Sequence, residues 1–344
     1  MPVEDYLAGL ARELELRFPR HDEWTAETLY LGGGTPSRLG GDGINRLLDL
    51  LRHRVSLDRD AEVTLEANPE DVTPANAAAW RQAGVNRLSL GAQSFDDHVL
   101  RWMHRTHESD AAARAVDAWR RAGGDNYSLD LIFALPNELE PSWQDELEAA
   151  LALDPPHVSL YGLTVERGTP LAAWRERGTV TEAPDERYER EYLYAHERMK
   201  RAGLEHYEVS NFARPGKRAQ HNAAYWSGAP YAGLGPSAHE FDGNTRRWNV
   251  RAYAEWQRRL SRGLDPIDGS ELLDAANRET EAVYLGLRTD AGLRLTGASL
   301  ERSRTWLQAG WGTDTTDGRF ALTPLGWLRL DSLACDLTAV RSHS

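Results

Sequence analysis

The stretch Thr28-Leu29-Tyr30-Leu31-Gly32-Gly33-Gly34-Thr35-Pro36 decides the fold. A short apolar run of strand character ends in three consecutive glycines, which leave backbone N–H groups uncovered for a charged ligand. Thr35-Pro36 then fixes the following turn and starts the next connection. A tight turn with nothing bound accounts equally well for this stretch taken alone.

Working outward, the same unit recurs. The strand at 28–31 leads to a helix with Ile44, Leu47, Leu48 and Leu51 on one side. A strand at 62–66 leads to a helix at 74–83, with Pro74 suited to its first turn. A strand at 87–90 leads to helices at 95–103 and 110–122, and one at 128–133 to a helix at 142–153. A last strand at 157–161 precedes a longer helix near 185–202. This alternation predicts βα units and a parallel sheet. Five or more units with both sheet faces covered suggest a complete or partial barrel, a doubly wound open sheet being the alternative. The series opens on a helix instead of a strand: Leu7, Leu10, Leu14 and Phe18 form an apolar stripe that Pro19 ends.

From about residue 204 the pattern breaks. Residues 207–249 are rich in Gly, Asn, Tyr, Trp and His with little periodicity, the kind of irregular segment that carries function. From about 250 a small, mainly helical domain follows. Its end, Phe320 to Leu330, reads as a short strand and then a helix capped at Thr323, consistent with a winged-helix-like unit.

Composition narrows the function class. A chain of 344 residues accommodates two domains or one barrel with an appendage. The net charge of -13 argues against a nucleic-acid or anionic-membrane partner. No apolar run approaches a membrane span and no signal-peptide pattern opens the chain, so a cytoplasmic location is expected. Cys335 is the only cysteine, which excludes a disulfide within the chain and a cluster held by several of its thiolates.

Polar residues gather where the expected strands end: the glycine run, Glu66, Gln93 and Asp130. In parallel α/β folds those ends line the ligand site. A glycine cradle with two acids and an amide suits a ligand bearing an amine, a ribose and a carboxylate. Singly, Glu66 reads as well as a helix cap or loop ion pair, and Asp130 as a buried acid met by neighbouring N–H groups. Arg105 reads as a surface arginine or a carboxylate clamp, with His104 and His107 on the same solvated turn. His221, beside Asn222, Tyr225 and Trp226 and flanked by Arg214, Lys217 and Arg218, could ligate a heme iron or simply pack a loop against the barrel mouth.

Several longer motifs resemble one family. Tyr30-Leu31-Gly32-Gly33-Gly34-Thr35-Pro36-Ser37, Glu66-Ala67-Asn68-Pro69-Glu70, Gly91-Ala92-Gln93-Ser94-Phe95, Asp130 to Pro136 and Tyr207 to Ala213 look like those of the HemW heme chaperones. These belong to the radical S-adenosylmethionine (SAM) superfamily and are relatives of oxygen-independent coproporphyrinogen III oxidase. His221-Asn222-x-x-Tyr225-Trp226 matches the heme-binding pattern of the chaperone branch.

The resemblance implies a SAM site at Gly33, Gly34, Thr35, Glu66, Gln93, Arg105, Asp130 and Thr164. It implies a heme site at His221, Asn222, Tyr225 and Trp226, with His221 on the iron, and a heme-acceptor protein of the respiratory chain as partner. The implied fold is a partial (β/α)6 TIM-like radical SAM barrel over residues 1–205, without its first strand. A heme-binding connecting segment follows at 206–250, then a mainly helical C-terminal domain at 251–344. Alternatives within the same resemblance are a porphyrinogen oxidase and a clusterless, non-catalytic homologue. The family carries a C-x3-C-x2-C motif for a 4Fe-4S cluster near its N-terminus, and this chain has none. An N-terminal truncation through a misplaced start codon is the expected cause. It predicts exposed apolar edge surface and ready aggregation.

Overall fold

In the computed structural model, residues 2–19, 25–139 and 141–342 are described. Helix α1 (Val3–Arg17) comes first, then β1 (Thr25–Leu31), α2 (Gly40–Arg52), β2 (Ser56–Ala67), α3 (Pro74–Ala83) and β3 (Arg87–Gln93). The series continues with α4 (Asp97–Trp102), α5 (Ala111–Arg121), β4 (Tyr127–Phe133), α6 (Trp143–Ala152) and β5 (His157–Gly162). After α7 (Pro170–Glu176) and α8 (Asp185–Arg201) come β6 (Glu205–Glu208) and β7 (Asn211–Ala213).

These strands form one seven-stranded sheet in the order β1-β2-β3-β4-β5-β7-β6. The first five pair parallel in chain order. That sequential order has no reversal point, so the doubly wound alternative is excluded. β7 enters between β5 and β6 and pairs antiparallel with both. The result is a curled, parallel-rich half-barrel. The boundary expected at 205/206 falls inside β6, and the strands of Tyr207-to-Ala213 belong to the sheet.

The two sheet faces differ sharply in chemistry. Val63 and Leu65 on β2, Leu88 and Leu90 on β3, Leu129 and Leu131 on β4, and Val158 and Leu160 on β5 are buried in the apolar core that the helices complete. The alternate side chains are mostly polar, Glu62, Thr64 and Glu66 on β2 among them, as the twofold repeat of a strand requires. Local signals set the helices. Thr73 accepts a hydrogen bond from Asn76 N, Pro74 opens α3, and Gly84 at φ 98° ends it. Thr73→Ala is expected to lower stability by about 1 kcal/mol in chemical denaturation, and an unchanged midpoint would show that this cap contributes nothing.

The edges of the sheet are unequal. β6 is flanked by residues 288–290, through Val209 N to Arg288 O, Asp290 N to Tyr207 O and a bridge from Glu208 to Thr289. Among the described residues no strand pairs with the outer edge of β1.

The segment after the sheet has more structure than its composition announces. It holds α9 (Gln220–Trp226), β8 (His239–Phe241), β9 (Thr245–Asn249), α10 (Tyr253–Ser261) and β10 (Ile267–Leu272). Glu13 of α1, fully buried, binds this region to the N-terminal helix. Its carboxylate accepts from Gly235 N at 2.8 Å, Asn249 Nδ2 at 2.6 Å and Trp256 Nε1 at 3.0 Å. The chain closes with α11 (Ala275–Arg288), α12 (Gly297–Gln308), the hairpin β11 (Gly312–Asp314) and β12 (Phe320–Leu322), α13 (Pro324–Trp327) and α14 (Leu330–Ser342). Thr323 caps α13 as expected, accepting from Gly326 N, but that helix is a single turn and α14 follows separately.

Candidate functional site

The polar inner face of the half-barrel encloses a cavity of about 440 Å³. Gly34, Thr35, Glu66, Gln93, Arg105, Asp130, His221 and Asn222 all line it, so eight of the twelve expected binding residues share one space. Tyr30, Thr64, Arg87, Ser89 and Tyr161 line it too. These five were not anticipated, although the alternation in their strands marks them.

Glu66 stands at the end of β2 and reaches back across the glycine turn. Its Oε1 accepts from the Tyr30 hydroxyl at 2.7 Å and its Oε2 from Gly33 N at 3.2 Å. It is therefore neither a helix cap nor an ion-pair partner. The absence of a side chain at Gly32 is required, because a Cβ there would sit 2.8 Å from the Glu66 carboxyl and 2.5 Å from the Tyr30 ring. Burial raises the pKa of Glu66. Asp130, across the cavity, is raised as well by desolvation, and it is met by hydroxyls instead of backbone N–H groups: Ser89 at 2.8 Å and Ser128 at 3.0 Å. Desolvation disfavours the charged form of both carboxyls, and they share the cavity with the guanidinium groups of Arg87 and Arg105.

Gln93 is turned into the cavity by backbone strain. The register between β3 and β4 shifts between Leu90 and Gln93, and Gln93 has φ 65°. Arg105 follows α4 half-buried and lines the cavity, so it is not a solvated surface residue. His107 is also removed from the solvated turn expected for it. It is buried, with Nδ1 3.1 Å from a Glu70 carboxylate oxygen, a partner from another loop. Thr164 stays exposed beyond β5, bonded to Gly162 O at 3.3 Å, and is not among the lining residues.

His221 sits in the first turn of α9, which packs on the inner side of β1. Its Nδ1 is 2.8 Å from Thr28 Oγ1, and its Nε2 is 3.3 Å from the Tyr225 hydroxyl one turn along. Its ring stacks on Tyr30, with centroids 4.9 Å apart and planes 17° from parallel. Glu62 on β2 accepts from both Gln220 N at 3.2 Å and His221 N at 3.0 Å, fastening the start of α9 to the barrel. Burial lowers the His221 pKa to about 4, so the imidazole is neutral at physiological pH. Trp226 faces away, into a second cavity of about 540 Å³ shared with α11, and the Arg288 guanidinium lies 4.2 Å over its ring.

The neutral imidazole has the protonation state of a metal ligand. Cys335, by contrast, lies exposed on α14. Among the described residues no group of three or more His, Cys, Asp or Glu side chains gathers around a metal position.

Comparison with known proteins agrees with this fold. The model of the radical SAM superfamily matches residues 10–150. Heme chaperone HemW of Mycobacterium tuberculosis (strain H37Rv) is 39% identical over 331 residues, covering 95% of this chain and 85% of the relative. HemW of Bacillus subtilis is 32% identical over 85% of this chain and 77% of its own length. HemW of Escherichia coli K12 is 36% identical over 84% and 80%. Among solved structures, coproporphyrinogen III oxidase (HemN) from Escherichia coli superimposes with a TM-score of 0.79 over 98% of this chain and 83% of that one. At 21% identity that likeness speaks for the fold alone.

Proposed function

The chain belongs to the HemW family of heme chaperones within the radical SAM superfamily, and from that membership we propose that its heme is carried on α9, with His221 as the iron ligand. The observation that carries this reading is the neutral, half-buried imidazole at the mouth of the half-barrel, with one nitrogen engaged inward and the other facing an exposed tyrosine. Tyr225 yields to the incoming porphyrin and Asn222 lines the cavity beneath it. An acceptor protein would collect the heme from the exposed side of α9. The acceptor proposed is a heme protein of the respiratory chain, as the resemblance implies. No helix among the described residues is long and apolar enough to cross a membrane.

A proton and an iron compete for the same imidazole lone pair. With the pKa at about 4 instead of the ordinary 6.5, the proton loses that competition over the whole physiological range. Hemin affinity is therefore expected to stay level between about pH 6 and 8 and to fall only as the pH nears 4. A titration followed by the Soret band tests this. A tenfold weakening centred near the ordinary histidine value would mean that His221 is not shielded as described.

The barrel cavity suits SAM, the superfamily's cofactor, because carboxyls able to meet an amine and guanidinium groups able to meet a carboxylate line the same space. We assign the methionyl amine to the Gly33–Thr35 turn and Glu66, with Gln93, Arg105 and Asp130 completing the enclosure. Thr164, placed outside the cavity, would join only if the loop after β5 folded inward. When bound, SAM would supply an ammonium and a sulfonium charge to the cavity that Glu66 and Asp130 line. Glu66 and Asp130 then hold their protons less tightly, and Tyr30 keeps Glu66 oriented. A 4Fe-4S cluster, also implied by the superfamily, does not fit the residues of this chain, whose one cysteine is the exposed Cys335. We further propose that the barrel unit runs through Ala213, where β7 ends, that the α9 segment forms the bridge, and that the helical remainder supports α9 from behind.

A further inference from the structure

The two ring nitrogens of His221 have unequal surroundings. Nδ1 is directed at Thr28 Oγ1 from β1, on the inner side of the sheet, at 2.8 Å. Among the described residues, Nε2 meets only the hydroxyl of Tyr225, at 3.3 Å, whose side chain is exposed. Iron could reach Nδ1 only by parting α9 from β1. It reaches Nε2 by displacing one phenol.

We propose that Thr28 is the positioning residue for heme capture: its hydroxyl oxygen accepts the Nδ1 proton of His221, which fixes the tautomer and leaves the Nε2 lone pair for the iron. This rests on the reading of His221 as the heme ligand. A ligating histidine whose second nitrogen donates to a fixed acceptor is held in one ring orientation and gains basicity at the metal-binding nitrogen. Three features make Thr28 such an acceptor. It lies within a strand, so its backbone is set by pairing with β2, where Thr28 stands opposite Glu62. That same Glu62 accepts the N–H of His221, so the strand position and the helix start are tied to each other. Tyr30, two residues along the same strand, stacks on the imidazole and fixes its plane. Plane and rotation are thus set by neighbouring residues of one strand.

Thr28→Val keeps the shape and removes the hydroxyl. It is expected to weaken hemin binding by roughly 10- to 100-fold and to shift the Soret maximum and the ferric spin-state signature, while the melting temperature of the heme-free protein stays close to the parent's. Thr28→Ser restores the acceptor and is expected to restore both affinity and spectrum. A Thr28→Val protein that binds hemin with parental affinity and spectrum overturns the assignment, provided His221→Ala loses binding in parallel. A Thr28→Ser protein as impaired as Thr28→Val overturns it as well, because shape and not the hydroxyl would then be responsible. Parental binding in His221→Ala would instead remove the underlying reading of His221, and this inference with it.

Discussion

His221→Ala is expected to abolish the ligated hemin spectrum and weaken hemin binding on the order of 100-fold or more, since even an outer partner of a metal ligand accounts for about 10- to 100-fold. The remaining binding would be nonspecific apolar contact, with the broad Soret band of unligated hemin. The fold should tolerate the change. His221 is only half-buried, and Glu62 would still hold the backbone N–H groups at the start of α9, which do not depend on the side chain. The thermal midpoint of the heme-free protein should therefore move little. Two polar contacts are left open, at Thr28 and at Tyr225, and both hydroxyls can turn to water. Parental affinity and an unshifted Soret maximum in this variant would rule out His221 as the ligand.

The second large effect concerns the barrel. Glu66→Ala removes the acceptor that meets both Gly33 N and the Tyr30 hydroxyl, and with it the carboxylate assigned to the SAM amine. A hydrogen bond to a charged group contributes roughly 1.5–3 kcal/mol, so SAM affinity measured by calorimetry should fall roughly 10- to 100-fold. The pH dependence supplies an independent check. Burial raises Glu66 and Asp130, so in the ligand-free protein their contribution to stability is fully present at low pH and is lost as the pH rises through the raised values. A cation bound beside them reverses that loss. SAM should consequently raise the melting temperature more at high pH, where both carboxyls are ionised, than at low pH, where both are protonated. Equal shifts at both, or undiminished affinity in Glu66→Ala, would place SAM elsewhere.

Much of the barrel was readable because βα alternation is a local signal. Strands, connecting helices and the strand-end positions of Glu66, Gln93 and Asp130 follow from periodicity and the rule that ligands sit at strand ends. The inner face was missed. Glu62-x-Thr64-x-Glu66 and Arg87-x-Ser89 carry the alternation openly, but attention to strand ends passes over polar residues in mid-strand. β7 could not be read, since three residues set no period and their antiparallel place depends on strands distant in the chain. His107 and Arg105 were misplaced by chemistry alone for a related reason: what buries them comes from other loops. The heme segment was identified by its resemblance, not by any physical signal separating a ligand histidine from a packing one. The contact of His221 with Thr28, on which the proposal above rests, joins residues far apart in sequence and has no local periodicity to announce it.

The unequal edges of the sheet give any further assembly a direction. Residues 288–290 close the β6 side, so a strand joining by main-chain pairing finds its template along β1. Such a strand would run beside Thr28 and Tyr30, the residues on which the imidazole of His221 rests. Docking there and loading of the cargo would then share a border, and stiffening β1 from outside would steady the seat within. On the proposed reading of His221, a segment added at this edge, unpaired among the described residues, would tune how firmly heme is held.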